Sequence, residues 1–418
     1  MTTPTYDVAV VGAGIVGAAC AFTLRRDGAR VVLIDRGEPR RAASWGNAGH
    51  FAYEQVLPLA TPDLWRSLPR LLFARESPLR IPPRNLWPLA PWLARFAWNT
   101  RAPQVRRATA ALAALLCVAP EAWRRLASAA GLEALIRGGP MLVVARDAAA
   151  LAAKRPVIEA FRRHGTQVEE IGALEARAIE PMLRHDIAGA FVYPRAQHTV
   201  DPAKLTANLT AAYRATGGIV ANDSVSSVRI ASDGTASVVG SASSWVARRC
   251  VVAAGLGSRD ILHGLGIEVP LAAERGYHLM IPYVEGRPTM HIPLIGARPE
   301  FVITPMAEGV RLAGTVELAR SESHPDWSRA TMLRKLAEQI VQPLGAGSDG
   351  AVWMGCRPSL PDSLPIIGPI PAAPAIVGAF GHQHLGLTLA AITAEAVCAI
   401  VRHRPPPIDI AAYSAARF

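Results

Sequence analysis

Four clusters in this chain combine residue types and spacings that could do chemistry. The first is Gly12-Ala-Gly14-Ile15-Val16-Gly17, which follows an apolar run at residues 7–11 and precedes a helix-forming stretch at 18–26. Gly12 permits a tight turn after a strand, and Gly14 lets a pyrophosphate approach the backbone. Gly17 lets helix and strand pack closely, while the helix start presents N–H donors to phosphate. A second apolar run at 30–35 ends in Asp35, a carboxylate placed to accept ribose hydroxyls. Strand, glycine turn, helix and acid-ended strand in this order predict a dinucleotide-binding unit. The turn alone does not choose among dinucleotides.

The second cluster, Ser44-Trp-Gly-Asn47-Ala48-Gly49, is a loop of small residues with hydroxyl and amide donors. It suits close backbone contact with a phosphate or a ring edge. In the third, residues 353–368, Arg357 lies between Gly355 and the prolines Pro358 and Pro361, which restrict the backbone and pre-position a guanidinium. Such an Arg is suited to bidentate capture of a carboxylate; the alternative is a loop-tying pair with Asp362. The fourth, Gly381-His-Gln-His-Leu385-Gly386, precedes an apolar helix that begins at Leu387. A glycine-rich helix start offers free N–H groups and a positive dipole end, which favour negative charge building on a nearby ring. Of its two histidines, His382 is expected to face a pocket and His384 to be structural.

The elements that must position these clusters read as follows. Residues 57–104 are rich in Pro and Trp, with Pro78, Pro82, Pro83, Pro88 and Pro91 predicted to break the chain and a partial helix expected within 54–72. Residues 105–132 predict a helix divided or kinked at Pro120, and 148–164 another. Asp201-Pro202 is a strong helix start. Residues 249–254 predict a buried strand, 270–320 is strand-rich, and a long apolar helix closes the chain.

Composition bounds the partners. With 418 residues, the chain exceeds what one core holds, so two connected domains are expected. Half of the residues are apolar, which excludes a disordered chain. The net charge of +11 would suit nucleic acid, an anionic membrane or an acidic substrate. No Lys/Arg cluster with interleaved aromatics occurs, so nucleic acid is not expected as a partner. Cys20, Cys117, Cys250, Cys356 and Cys398 show no pairing pattern, which argues for a reducing compartment and against a disulfide framework or zinc site; no metal is expected. Residues 1–5 are polar and predict no signal peptide. No run reaches the roughly 18–20 apolar residues that span a bilayer. The stretch holding Trp87, Trp92 and Trp98 with Arg84, Arg95 and Arg101 could nevertheless rest on an anionic membrane.

Taken together, the glycine turn, S-W-G-N-A-G, Val251-Val-Ala-Ala254-Gly255, Arg275-Gly-Tyr277-His278, and the G-x-R-P-x-x-P-D…P-I-I-G and G-H-x-x-L-G blocks resemble the FAD-dependent D-amino-acid oxidase/dehydrogenase superfamily. The resemblance is greatest to its bacterial D-amino-acid dehydrogenases and covers nearly the whole chain. It implies an α/β fold in which a Rossmann-like FAD-binding domain (1–56, 185–262 and 345–418) interleaves with an antiparallel-sheet substrate domain (57–184 and 263–344). It implies non-covalent FAD held by Gly12, Gly14, Ile15, Val16, Gly17, Asp35 and Arg36, by Ser44, Asn47, Ala48 and Gly49, and by Val225, Ala254 and Gly255. Gly381, His382, Leu385, Gly386, Leu387 and Thr388 would lie beside the isoalloxazine. Cys356 lies close to a position where some relatives attach flavin, but its surroundings do not match.

The implied reaction is hydride transfer from Cα to flavin N5, giving an imino acid that water hydrolyses to keto acid and ammonia. Arg357 would anchor the substrate carboxylate and Tyr277 would add a hydroxyl donor, with His50, His278 and His382 as further candidates in the site. His50 stands where relatives often carry an apolar residue. With Tyr53 and Glu54 it makes a polar rim that suits a cyclic or hydroxylated imino acid such as a D-proline derivative. Electrons would pass to quinone or a carrier protein, in the cytoplasm or on the inner face of its membrane. Two alternatives stay open: a glycine- or sarcosine-type amine oxidase using oxygen, and a flavoprotein acting on modified tRNA.

Overall fold

The chain is seen here as a computed structural model that describes residues 6–62, 77, 79–345 and 350–418. Its first sheet is built on the strand Tyr6–Val11. Val31–Asp35 lies parallel on one side and Ser244–Val252 parallel on the other, extended by Ile219–Asn222 and Ala373–Phe380. Ile366–Ile370 closes one edge antiparallel. The parallel strands are apolar on both faces because both are covered. Val8, Val10, Val31 and Leu33 pack under the helices Ile15–Arg26, Pro202–Ala215 and Gly386–Val401. Ala9, Val11, Val32 and Ile34 pack against Val228, Ala236, Val238, Ile261 and Leu262 on the other side. The helix Gly386–Val401 is apolar nearly all round because it is a core helix, wedged between Ile15–Arg26 and Ala102–Ala130.

The second sheet runs in the order Ala351–Ser359, Ala272–Pro282, Gly309–Leu318, Val302–Pro305, Leu294–Gly296, Ile136–Ala145, Gly189–Thr199, His50–Phe51, and is mainly antiparallel. Three of these strands, His50–Phe51, Gly189–Thr199 and Ala351–Ser359, fall within the ranges expected for the cofactor domain, yet they hydrogen-bond here. Long-range pairing decides their membership: Ala351–Ser359 is in continuous register with Ala272–Met280. The short strand His50–Phe51 pairs with Gln197 and His198, so the S-W-G-N-A-G loop is carried from the first sheet straight into the second.

The proline-rich stretch differs from expectation. Pro83–Asn99 is a helix with Pro88 and Pro91 inside it. Pro83 takes the first helical position, where a missing N–H costs nothing. The carbonyls freed by Pro88 and Pro91 belong to Arg84 and Trp87, both exposed residues on the outer side of the helix, where an unpaired carbonyl costs less than it would in the core. Ala102–Ala130 likewise runs through Pro120 as one helix. The partial helix expected within 54–72 falls largely on residues outside the described ones, as do residues 1–5.

Candidate active site

At the end of Tyr6–Val11 the backbone of Gly12 has φ +101°, and a Cβ there would stand 2.5 Å from the Ala253 carbonyl oxygen. At Gly17 a Cβ would stand 1.8 Å from the Gly12 oxygen, so strand and helix cross with no room for a side chain. Asp35 holds this turn: its two carboxylate oxygens accept from the N–H groups of Ala13 (2.7 Å) and Gly37 (2.9 Å). Ser44 Oγ accepts from the Ile15 N–H at 2.9 Å. The N–H groups of Val16 and Gly17 keep no protein acceptor among the described residues, as a phosphate cradle requires. Arg36 pairs with Glu38 at the surface. Ala253 packs against Gly12, and Val225 and Ala254 join the apolar cluster beside it, with Gly255 in a left-handed turn.

The loop that follows is gripped from beneath. His278 Nδ1 bonds the Gly46 carbonyl at 2.8 Å, Arg311 donates to the Asn47 carbonyl at 2.7 Å, and Thr304 donates to the Ala48 carbonyl at 2.8 Å. Three consecutive carbonyls are thus fixed by three strands of the second sheet. Asn47 closes the loop internally, accepting from the Gly49 N–H and donating to Ser44. Gly46 lies against the Trp353 ring, which stacks on His278 at 5.0 Å. Burial holds His278 down to about 3 and draws Arg311 down to about 10. Arg311 and Thr304 carried no recognisable signal in the sequence, since a lone buried Arg or Thr in a strand belongs to no motif.

The Arg357 site forms where Ala351–Ser359 meets Ala272–Pro282. Arg357 Nη1 donates to Glu274 Oε1 at 2.8 Å, and the other Glu274 oxygen accepts from Ser359 Oγ at 2.7 Å. Gly276 makes room: a Cβ there would stand 2.5 Å from Arg357 Nη2. The Arg357 side chain stays 22% exposed against 6% for Glu274, and its Nη2 has no protein partner among the described residues. Asp362 is engaged by Arg417 at 2.6 Å, so the loop-tying Arg357–Asp362 pair does not form.

Side chains alternate along a strand. Glu274, Gly276 and His278 therefore share the face that carries Arg357, while Arg275 and Tyr277 point to the other. There the Tyr277 hydroxyl donates to Glu317 at 2.5 Å, Arg275 pairs with the same carboxylate, and Tyr277 is fully buried. The expected hydroxyl donor thus lies on the wrong face for a substrate held by Arg357. Cys356 stands opposite Arg275 on that same far face.

The two histidines of the last block exchange places. His382 is buried, bonded through Nε2 to Thr393 Oγ1 at 2.9 Å and held down to about 3 by burial. His384 is the partly exposed one, lowered by burial and felt by Glu274, Arg357 and Glu54. The backbone explains the exchange: Gly381 (φ +80°) and Gln383 (φ +51°) turn the chain sharply before the helix begins at Gly386. Leu385 is buried. The carbonyls of Leu387 and Thr388 accept from the Trp123 indole, and Thr388 Oγ1 accepts from the Ala52 N–H. His50 is bonded through Nε2 to Glu54 at 2.9 Å, and its buried Nδ1 has no partner among the described residues. Glu274, Arg357 and Glu54 are thus among the charged neighbours of His384, while the side chains of Tyr277 and His382 are engaged by Glu317 and Thr393.

The family described as FAD dependent oxidoreductase matches residues 7–400. The chain is 34% identical to the D-amino-acid oxidase of Bradyrhizobium diazoefficiens, over 98% of each chain. It is 31% identical to D-amino acid dehydrogenase 2 of Ralstonia nicotianae, over 98% of this chain and 100% of the relative. In fold it resembles glycine oxidase from Geobacillus kaustophilus, with a TM-score of 0.76, 22% identity and full coverage of both chains.

Proposed function

The chain belongs to the FAD-dependent oxidoreductase family, and from that premise we propose that it oxidises the Cα–N bond of a D-amino acid or a cyclic D-imino acid to the imine, which in the open-chain case water hydrolyses to keto acid and ammonia. The observation that carries this reading is Arg357: a guanidinium bonded to Glu274 through Nη1, with no partner at Nη2 among the described residues and a side chain that is 22% exposed. A planar fork in that state is pre-organised for a carboxylate. The residues fit FAD without attachment. Gly12, Gly14, Ile15, Val16 and Gly17 would hold its pyrophosphate and Asp35 its ribose, while the clamped loop from Ser44 to Gly49 and the helix start at Gly386 would flank its ring. Cys356 on the opposite face of its strand supports non-covalent binding.

Bound FAD supplies the acceptor for the hydride that leaves Cα. The protein's task is orientation. Arg357 anchors the carboxylate, and Glu274 keeps the guanidinium from rotating. His384 and the orphaned Nδ1 of His50 supply polar contacts for the amine side and rim, which suit a ring nitrogen or hydroxyl. Tyr277, His278 and His382 act as positioning residues through the bonds already described. Electrons leave to a quinone or a carrier protein; the peroxide formed per turnover separates this from direct use of oxygen. Unpaired cysteines suit the cytoplasm, and the exposed Trp87 and Trp98 suit attachment to the inner face of an anionic membrane.

The carboxylate assignment is tested by comparing a D-amino acid with its amide. Loss of one charge-assisted hydrogen-bond pair predicts kcat/KM about 10- to 100-fold lower for the amide. Equal rates would remove Arg357 from the substrate site.

A further inference from the structure

The helix Pro83–Asn99 is fixed on one side and bare on the other. Asn85 is buried and the Trp92 indole donates to the Ser359 carbonyl at 3.2 Å, while Leu86, Trp87 and Trp98 are exposed, Trp87 by 88%. Trp87 and Trp98 are eleven residues apart, three helical turns, so they share one face with Ala90 and Ala94 between them. Arg84 and Arg95 border this face with no acidic partner among the described residues, and Arg101 covers the Trp98 ring at 3.5 Å.

A cavity of about 280 Å³ opens at the edge of that face, between Arg95 and Trp98 on this helix and Gln104 and Arg107 on the next. The acid at its wall, Asp362, is held by Arg417. Among the described residues, Arg95 and Arg107 have no anionic partner, and Gln104 Oε1 is buried without a donor. Two free cations ask for an anion, and an orphaned acceptor asks for a hydroxyl. Both occur together in a phosphodiester that bears a hydroxylated headgroup. The neighbouring exposed tryptophans supply what a soluble phosphate could not use, an apolar face that enters the interface at headgroup depth.

We infer that this cavity seats the headgroup of an anionic phospholipid and anchors the apolar face of Pro83–Asn99 on the bilayer. This rests on the membrane reading above and adds a site to it.

The test is co-sedimentation of the FAD-loaded full chain with vesicles of phosphatidylcholine alone or mixed with phosphatidylglycerol, at physiological ionic strength. The wild type is expected to sediment with the mixed vesicles only. Replacing two charges near a membrane surface, Arg95→Gln with Arg107→Gln, is expected to weaken binding about 30-fold. The same change at Arg229 and Arg287, away from the cavity, should leave it within about 2-fold. Activity with a soluble dye acceptor should be unchanged in both double variants, which shows that they are folded. Excess inorganic phosphate should release no more protein than chloride of equal ionic strength. Wild type that binds neither vesicle would defeat the membrane reading itself. If wild type binds mixed vesicles but both double variants behave alike, or phosphate alone releases it, the headgroup site falls while the membrane reading stands.

Discussion

Arg357 shows how much a single side chain's role depends on its neighbours. Its flanking prolines announce a fixed guanidinium, but only the pairing of two strands reveals that Glu274, not Asp362, fixes it. The histidines teach the converse. His278 and His382 are held down to about 3, and His198 to about 4, in each case chiefly by burial. Each stays neutral in the folded chain, whereas the unfolded chain binds a proton below about 6.5. The unfolded state thus carries more protons between these limits, and the stability that neutral histidines preserve is complete above that window and lost as pH falls through it. Thermal unfolding should therefore show Tm dropping steadily from pH 7 to pH 5, where most carboxylates remain charged. His382→Gln should flatten the slope. A Tm independent of pH in that range would mean that these side chains become solvated.

At the scale of elements, the glycine turn and its two strands were legible because local chemistry demands them: a left-handed residue at Gly12, a crossing too tight for a Cβ at Gly17, a carboxylate at Asp35. The loop 44–49 stood out as a candidate binding loop, but its support was not legible. His278, Thr304 and Arg311 come from three strands far apart in sequence, and no spacing rule joins them. The same holds for Pro83–Asn99, where local proline rules predicted breaks and the helix instead runs through Pro88 and Pro91 on a side whose residues Arg84 and Trp87 are exposed. Because Arg311 secures the Asn47 carbonyl with a charged donor, Arg311→Met should weaken FAD binding about 10- to 100-fold. Titration of the apoprotein by flavin fluorescence quenching measures this directly. Unaltered affinity would show that the loop holds its shape without the clamp.

For the whole molecule, two sheets divide the labour, one carrying the glycine turn proposed to hold FAD at its strand ends and the other carrying Arg357, Glu274 and the residues that clamp the loop 44–49. The expected two-part architecture was legible in the alternation of strand and helix signals. Its seams were not, since Gly189–Thr199 and Ala351–Ser359 join the second sheet through pairing that no local pattern encodes. In the proposed reading a substrate holds its carboxylate on Arg357 and turns one face toward the cofactor, which requires a choice of hand at Cα. Anaerobic mixing of the FAD-loaded enzyme with matched D- and L-amino acids, including both hands of proline, tests this claim most directly. D-isomers are expected to bleach the flavin absorbance and L-isomers to leave it unchanged; bleaching by the L-isomers, or by neither hand, would overturn the D-amino acid assignment.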